Sequence, residues 1–333
     1  ETVGLTAFWA RLFNDNWNES SAANRWSPDD DANYQDNVDL FALMLPLTFE
    51  GVKLTPWAMY GMIGVNSWDA MDNGLHMGSY PPYSLRPYPL AYNGGTLDTD
   101  KSYGSAFWAG LPIAVTAFDP LNIEVDINYG YVESMGRYEA ERYDNTFARM
   151  GDTKREGWLV KALVEYKMDW GTPGIFGWYA SGDDGNVKNG SERLPSFDYN
   201  NECTSGFSGF GTLGTWTIGR DAVLGYTLAG TWGFGARIRD LSFIDKLSHT
   251  IRVNFYNGTN APRMARYIKG ELDVPGHAGR SLYGTASDFN NVNTNGGIYL
   301  TQRDYAAEFG IMSSYQIYDN LRLLVEANYI DLW

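Results

Sequence analysis

Every second residue from Leu121 to Tyr131 is apolar: Leu121, Ile123, Val125, Ile127, Tyr129 and Tyr131 alternate with Asn122, Glu124, Asp126, Asn128 and Gly130. Successive side chains of a strand point to opposite faces, so a period of two gives one oily face and one wet face. The same period recurs in Trp158, Val160, Ala162, Val164, Tyr166, Met168 and Trp170, interleaved with Lys161, Glu165, Lys167 and Asp169. It returns around Ile251–Phe255, Tyr305–Ile311 and Leu321–Tyr329. No 3.6-residue period competes, and the chain is expected to be all-β.

Eleven strands are expected, at about 2–13, 37–49, 52–65, 103–118, 121–132, 157–170, 175–182, 216–240, 247–256, 303–317 and 320–332. Their connections alternate in length. Short ones are Glu50-Gly51, Asp119-Pro120, Gly171–Gly174, the Leu241–Lys246 bend and Tyr318-Asp319; long ones run about 14–36, 66–102, 133–156, 183–215 and 257–302. Strict alternation places every tight turn at one end of the sheet. That is the layout of a single transmembrane antiparallel up-and-down β-barrel domain over 1–333, with about 11–12 strands in this chain and long external loops.

The solvent met by the oily face decides between this layout and a soluble sandwich. Trp158 and Trp170 stand twelve residues apart on one phase, roughly 40 Å along a strand. Tilted by about 40°, that is roughly 30 Å of height, near the spacing of two aromatic girdles. Girdle candidates are therefore Trp158, Trp170, Tyr129 and Tyr329. The wet phase carries Lys53, Lys161, Lys167, Arg237, Arg239, Arg252 and Arg322 against Glu124, Asp126, Glu165, Asp169, Asp304, Glu308 and Glu326. A filled core could desolvate so many charges only with close pairing, whereas a water-filled lumen holds them readily. These residues, apart from Lys53 and Asp169, are the pore-lining candidates. Signs balance along the wall, so the net charge of −15, from 40 acidic and 25 basic residues, resides mainly in loops.

Arg237, Arg239 and Arg252 form the sharpest cluster. Two readings stay open: a ladder that attracts anions, or three arginines each paired with a neighbouring carboxylate. Loop 133–156 mixes Arg137, Arg142, Arg149, Lys154 and Arg155 with Glu139, Glu141, Asp144 and Asp152, and either enters the lumen or stands in solvent. Asp29, Asp30, Asp31, Asp183 and Asp184 offer hard oxygens for loop-bound calcium, without the spacing of a helix–loop–helix site. No other cofactor or metal is expected. His76, His249 and His277 lack metal-ligand spacing, and Cys203 has no partner in the sequence.

The acidic balance argues against a nucleic-acid partner. No Gly-rich phosphate loop or nucleophile elbow occurs, and no enzymatic activity is expected. The competing class is a secreted or surface β-rich protein that binds or cleaves polysaccharide through its aromatics. Aromatics at both rims favour the channel, and aromatics gathered in one concave patch favour sugar.

The segments Val3-Gly4-Leu5-Thr6-Ala7-Phe8-Trp9, Phe13-Asn14-Asp15-Asn16 and Glu326-Ala327-Asn328-Tyr329 resemble bacterial outer-membrane porins, and among these the homotrimeric porins of sulphate-reducing bacteria. The resemblance implies a homotrimer in the outer membrane of a Gram-negative bacterium, set in lipid and lipopolysaccharide. It implies passive diffusion of small anions or other small hydrophilic solutes, with sulphate and organic acids as candidates. An odd strand count and Asp331 in the last alternating segment depart from the pattern of such barrels. Further strands are therefore expected beyond both ends, giving about 16 or 18 in the complete barrel.

Overall fold

In the computed structural model, residues 1–14, 17–20, 25–28, 37–64, 101–134, 137–141, 148–152, 154–195, 230–264 and 300–333 are described. They form strands and turns, with a short 3-10 turn at Val187–Asn189. The fold is all-β. In chain order the strands are β1 (Thr2–Val3), β2 (Thr6–Asn14), β3 (Trp17–Ser20), β4 (Arg25–Pro28), β5 (Asn37–Met44), β6 (Leu47–Phe49), β7 (Val52–Leu54), β8 (Trp57–Gly64) and β9 (Tyr103–Phe118). There follow β10 (Leu121–Val132), β11 (Arg137–Glu141), β12 (Ala148–Asp152), β13 (Arg155–Tyr166), β14 (Thr172–Ala180), β15 (Thr231–Ile244), β16 (Leu247–Gly258), β17 (Tyr305–Tyr318) and β18 (Leu321–Leu332). All but β3/β4 and β11/β12 join one 14-stranded antiparallel meander, and those four make two separate hairpins.

The first crossings are interrupted where proline removes the backbone donor a ladder needs. Expected strands 37–49 and 52–65 break at Leu45-Pro46 and Thr55-Pro56. The line of pairing continues across the breaks because the proline carbonyls still accept. Gly4 N donates to Pro46 O at 2.8 Å, Leu45 N to Pro56 O at 2.9 Å and Thr55 N to Pro112 O at 3.0 Å. Counting each interrupted pair as one crossing recovers the eleven expected from sequence.

Three boundaries differ from expectation. β13 ends at Tyr166, and Trp170 sits in the tight turn between Met168 and Gly171, so Trp158 and Trp170 do not share one uninterrupted strand. β14 starts at Thr172, earlier than expected. β15 continues to Ile244 and turns at Asp245-Lys246, because two register shifts between Ile238 and Ile244 absorb extra residues and reset the alternation. Asp240 takes a positive φ of 57° within that stretch. Asp29, Asp30, Asp31, His76, Cys203, His277 and the expected strand segment 216–229 lie outside the described residues.

The two faces of the sheet differ in cover. Along β13, Arg155, Gly157, Leu159, Lys161, Leu163 and Glu165 are buried, while Trp158, Ala162, Val164 and Tyr166 are exposed. On β14 the buried set is Thr172, Phe176, Trp178 and Ala180, and Ile175 and Tyr179 are bare. The apolar phase is thus the bare face of these strands, and the phase carrying the charges is the covered one.

Candidate functional site on the covered face

Register brings the charged residues of five strands, β10, β13, β15, β16 and β17, close together on one face. Asp126 lies across from Lys161, and Arg237 across from Arg252. Lys161 Nζ stands 3.5 Å from Asp126 Oδ2. Glu165 Oε1 accepts from Arg237 Nε at 2.9 Å and from Arg239 Nε at 3.1 Å. Arg252 Nη2 donates to Glu308 Oε1 at 2.7 Å, and Asn254 Nδ2 donates to Glu308 Oε2 at 3.2 Å. Glu165 and Glu308 are each 2% exposed and Arg252 is 3% exposed. Burial at that level is tolerable for a charge only when it is paired and further hydrogen-bonded. Of the two readings of Arg237, Arg239 and Arg252, the structure has the paired one: each guanidinium faces a carboxylate.

The other lining candidates are dispersed. Glu124 accepts from Asn122 Nδ2 at 2.9 Å. Lys167 lies beyond the end of β13 and is exposed. Arg322 is exposed and Glu326 half-buried on β18. Asp304 precedes β17 rather than lying on a strand; its Oδ2 caps a turn by accepting from Thr301 N at 2.8 Å and Thr301 Oγ1 at 2.6 Å. A short polar side chain before a strand favours this local closure over ladder pairing.

Toward the first strands the covered face becomes apolar. Val38, Leu40, Ile63, Ala106, Trp108 and Val132 form a buried cluster with Trp57 and Met59 packed on it. The alternation expected from sequence carries one wet face throughout, and this apolar patch departs from it. Its lid is the segment Ser191–Pro195, which follows β14 and turns back over the sheet. Trp108 Nε1 donates to Pro195 O at 2.9 Å. Gly157 and Gly130 face each other across β13 and β10, and the segment uses the room they leave. A Cβ on Gly157 would overlap Leu194 N and Arg193 C, and one on Gly130 would lie 2.9 Å from Pro195 Cδ. Ser191 N also donates to Lys154 O at 2.9 Å, and Glu156 N to Ser191 O at 2.9 Å.

Two polar clusters hold the long connections. Asn260, 1% exposed, accepts from Asp183 N at 3.0 Å and donates to Gly230 O at 3.2 Å and Leu300 O at 2.6 Å. One side chain thus joins the segments after β14, before β15, after β16 and before β17. Beside it, Asp184 Oδ2 and Glu192 Oε1 both accept from Asn189 Nδ2, at 3.0 and 3.1 Å. Glu192 Oε2 accepts from Asp184 N at 3.0 Å, and Asp183 Oδ1 accepts from Ser191 Oγ at 2.7 Å. Burial, then the negative charges of Asp184 and Asp183, push the Glu192 carboxyl up to about 7. The Lys154 ammonium, bonded to Glu156, is raised, and Glu133 is lowered by its bond to Lys101. Among the described residues no three His, Cys, Asp or Glu groups converge on a point suited to a metal ion; Asp183 and Asp184 serve as acceptors within their loop.

On the bare face, aromatics collect at both ends of the strands. At the long-connection end Tyr129 and Trp158 have ring centroids 4.6 Å apart, and Tyr129 Oη donates to Glu156 Oε1 at 2.9 Å. Trp9, Phe41, Tyr60, Phe107, Tyr179 and Trp232 are exposed near that end. At the tight-turn end Phe49, Phe118, Tyr166, Trp170, Phe243 and Tyr318 are exposed. Tyr329 is exposed on β18, across from Phe309. Loop 133–156 carries the β11/β12 hairpin. The sequence matches no known protein-family model and no curated protein.

Proposed function

We propose that the chain is the wall of an outer-membrane β-barrel channel, a porin, that passes small hydrophilic solutes and ions by passive diffusion. The observation that carries this reading is the reversal of cover: Ile175, Phe234, Val253 and Trp158 are more than half exposed on neighbouring strands, while Lys161, Glu165, Arg252 and Glu308 are buried on the opposite face. Water-soluble chains hide apolar side chains and expose charged ones, and seldom leave a large continuous apolar patch bare. Hydrocarbon outside and polar groups inside reconcile both faces with their solvents. Aromatics at both ends of the bare face support the same reading, since indole and phenol rings favour the two bilayer interfaces.

In this reading the sheet closes into a barrel, through its first and last strands or through further strands, because an open edge in lipid leaves backbone groups unsatisfied. The ion-paired wall and the apolar patch under Ser191–Pro195 then face one lumen, and that segment narrows it. By resemblance, the assembly is a homotrimer in the outer membrane of a Gram-negative bacterium. The deciding experiment is insertion of detergent-purified protein into planar bilayers, where stepwise conductance with a fixed unit size is expected. A monodisperse protein in detergent-free buffer, with no conductance, overturns the proposal. Gel migration before and after heating in detergent reports the trimer.

A further inference from the structure

We propose that residues 181–195 form a pH-sensitive strap: with Glu192 protonated the acidic knot holds Ser191–Pro195 across the covered face, and ionisation of Glu192 loosens it. This regulation rests on the channel reading of that face.

The geometry is that of two carboxylates sharing one amide. Asn189 Nδ2 supplies both Asp184 and Glu192, and Glu192 takes the backbone N–H of Asp184 as well. Among the described residues no cation forms an ion pair with either carboxylate. Asp183, buried at 2% exposure, adds a third negative group, held by Ser191 Oγ. The same stretch then runs directly into the strap, through Ser191 N to Lys154 O and Trp108 Nε1 to Pro195 O. Loosening the knot therefore releases the end of the segment that lies over Gly157 and Gly130.

Charges face the knot from each element packed on it. Its own segment brings Asp183, Asp184, Lys188 and Arg193. β12, packed against the Val187–Asn189 turn, brings Asp152, whose Oδ1 accepts from Lys154 N at 2.8 Å. The start of β13 brings Lys154, Arg155 and Glu156, with Lys154 Nζ held 2.8 Å from Glu156 Oε2. The stretch after β16 brings Arg263, whose Cβ lies over Gly185. Lys154 favours an ionised Glu192, but its hydrogen bond is committed to Glu156. Burial and the neighbouring aspartates outweigh it, giving the rise to about 7 from an ordinary 4.5.

For a carboxyl raised on folding, the closed form has its full stability below the ordinary value of 4.5 and loses it as pH rises through about 7. A difference of that size limits the change in the opening equilibrium to about 300-fold.

The test is hydrogen exchange by mass spectrometry on the full chain in detergent at pH 5.5 and 8, each rate divided by the intrinsic rate at that pH. Peptides spanning 181–195 are expected to lose protection on going from pH 5.5 to pH 8, by up to about 30-fold, since part of the full range is already spent between 4.5 and 5.5, while peptides of β16 and β17 do not. Glu192→Gln is expected to abolish the pH dependence. Asp184→Asn, which removes a neighbouring negative charge, should move the midpoint to lower pH and serves if the Gln variant misassembles. Wild-type protection that is equal at both pH values, or pH dependence that survives Glu192→Gln, overturns the proposal. Conductance measured in parallel separates the two ideas: no channel activity with pH-dependent protection intact refutes the channel reading alone.

Discussion

The Arg252–Glu308 pair tells how dry the covered face is. Its partners are 3% and 2% exposed, and the bond between them is 2.7 Å long. Replacing Arg252 with Met removes the cation and leaves the carboxylate where water does not reach it. Breaking a buried pair in this way costs about 3–5 kcal/mol, whereas removing both charges is often close to neutral. Arg252→Met is therefore expected to be strongly destabilising, and adding Glu308→Leu to restore most of the loss. Arg239 provides the internal control. Its side chain is 44% exposed and shares Glu165 with Arg237, so Arg239→Met should cost less than about 1 kcal/mol. Urea titrations of the refolded protein in short-chain lipid vesicles, followed by intrinsic fluorescence, give the three values on one scale. If Arg252→Met costs no more than Arg239→Met, the pair stands in water and the argument from burial fails.

Replacing Asn260 with Ala strips acceptor or donor partners from Asp183 N, Gly230 O and Leu300 O. At about 1–3 kcal/mol for each buried group left unsatisfied, the loss should be on the order of 3 kcal/mol, with faster proteolysis of the long connections at constant β-sheet circular dichroism. Gly157→Val should displace Arg193-Leu194 and raise unit conductance; an unchanged conductance means the segment does not narrow the path. Replacing Arg237 and Arg239 together with Gln leaves Glu165 without its cations. Reversal potential should then shift toward cations, more at 0.1 M salt than at 1 M because the screening length falls from about 10 Å to about 3 Å.

Legibility followed the range of the interaction. Alternation is local, so the strands, their phase and the reversed cover of β13 and β14 could be read from Trp158, Lys161 and Glu165. The clustering of Arg237, Arg239 and Arg252 was legible too, because β15 and β16 are joined by a short turn, and the register shifts lie between that turn and the Arg237–Arg252 level. Non-local features stayed hidden. Nothing near Glu192 in sequence says that burial will raise it, and Asn260 is one asparagine in a chain rich in them. The nearest available signal for the strap was a paired gap: Gly130 and Gly157 occupy the wet phase of otherwise regular strands, a place where another backbone can approach. The breaks at Pro46 and Pro56 were legible in principle and were overridden by the surrounding apolar residues.

Among the described residues, each of the eleven crossings of the main sheet pairs with its neighbours along the chain. A sheet connected in that way has a natural unit of inheritance, the hairpin with its tight turn. Adding or losing one such unit at an edge keeps the register of every remaining pair and changes only circumference. The long connections hinder this little, since doubling a flexible loop adds only about 0.6 kcal/mol to its closure. The exception is the stretch tied by Asn260, where β14, β15, β16 and β17 share one buried amide. Those strands are expected to be gained, lost or recombined together, so that divergence in strand number should accumulate elsewhere in the wall.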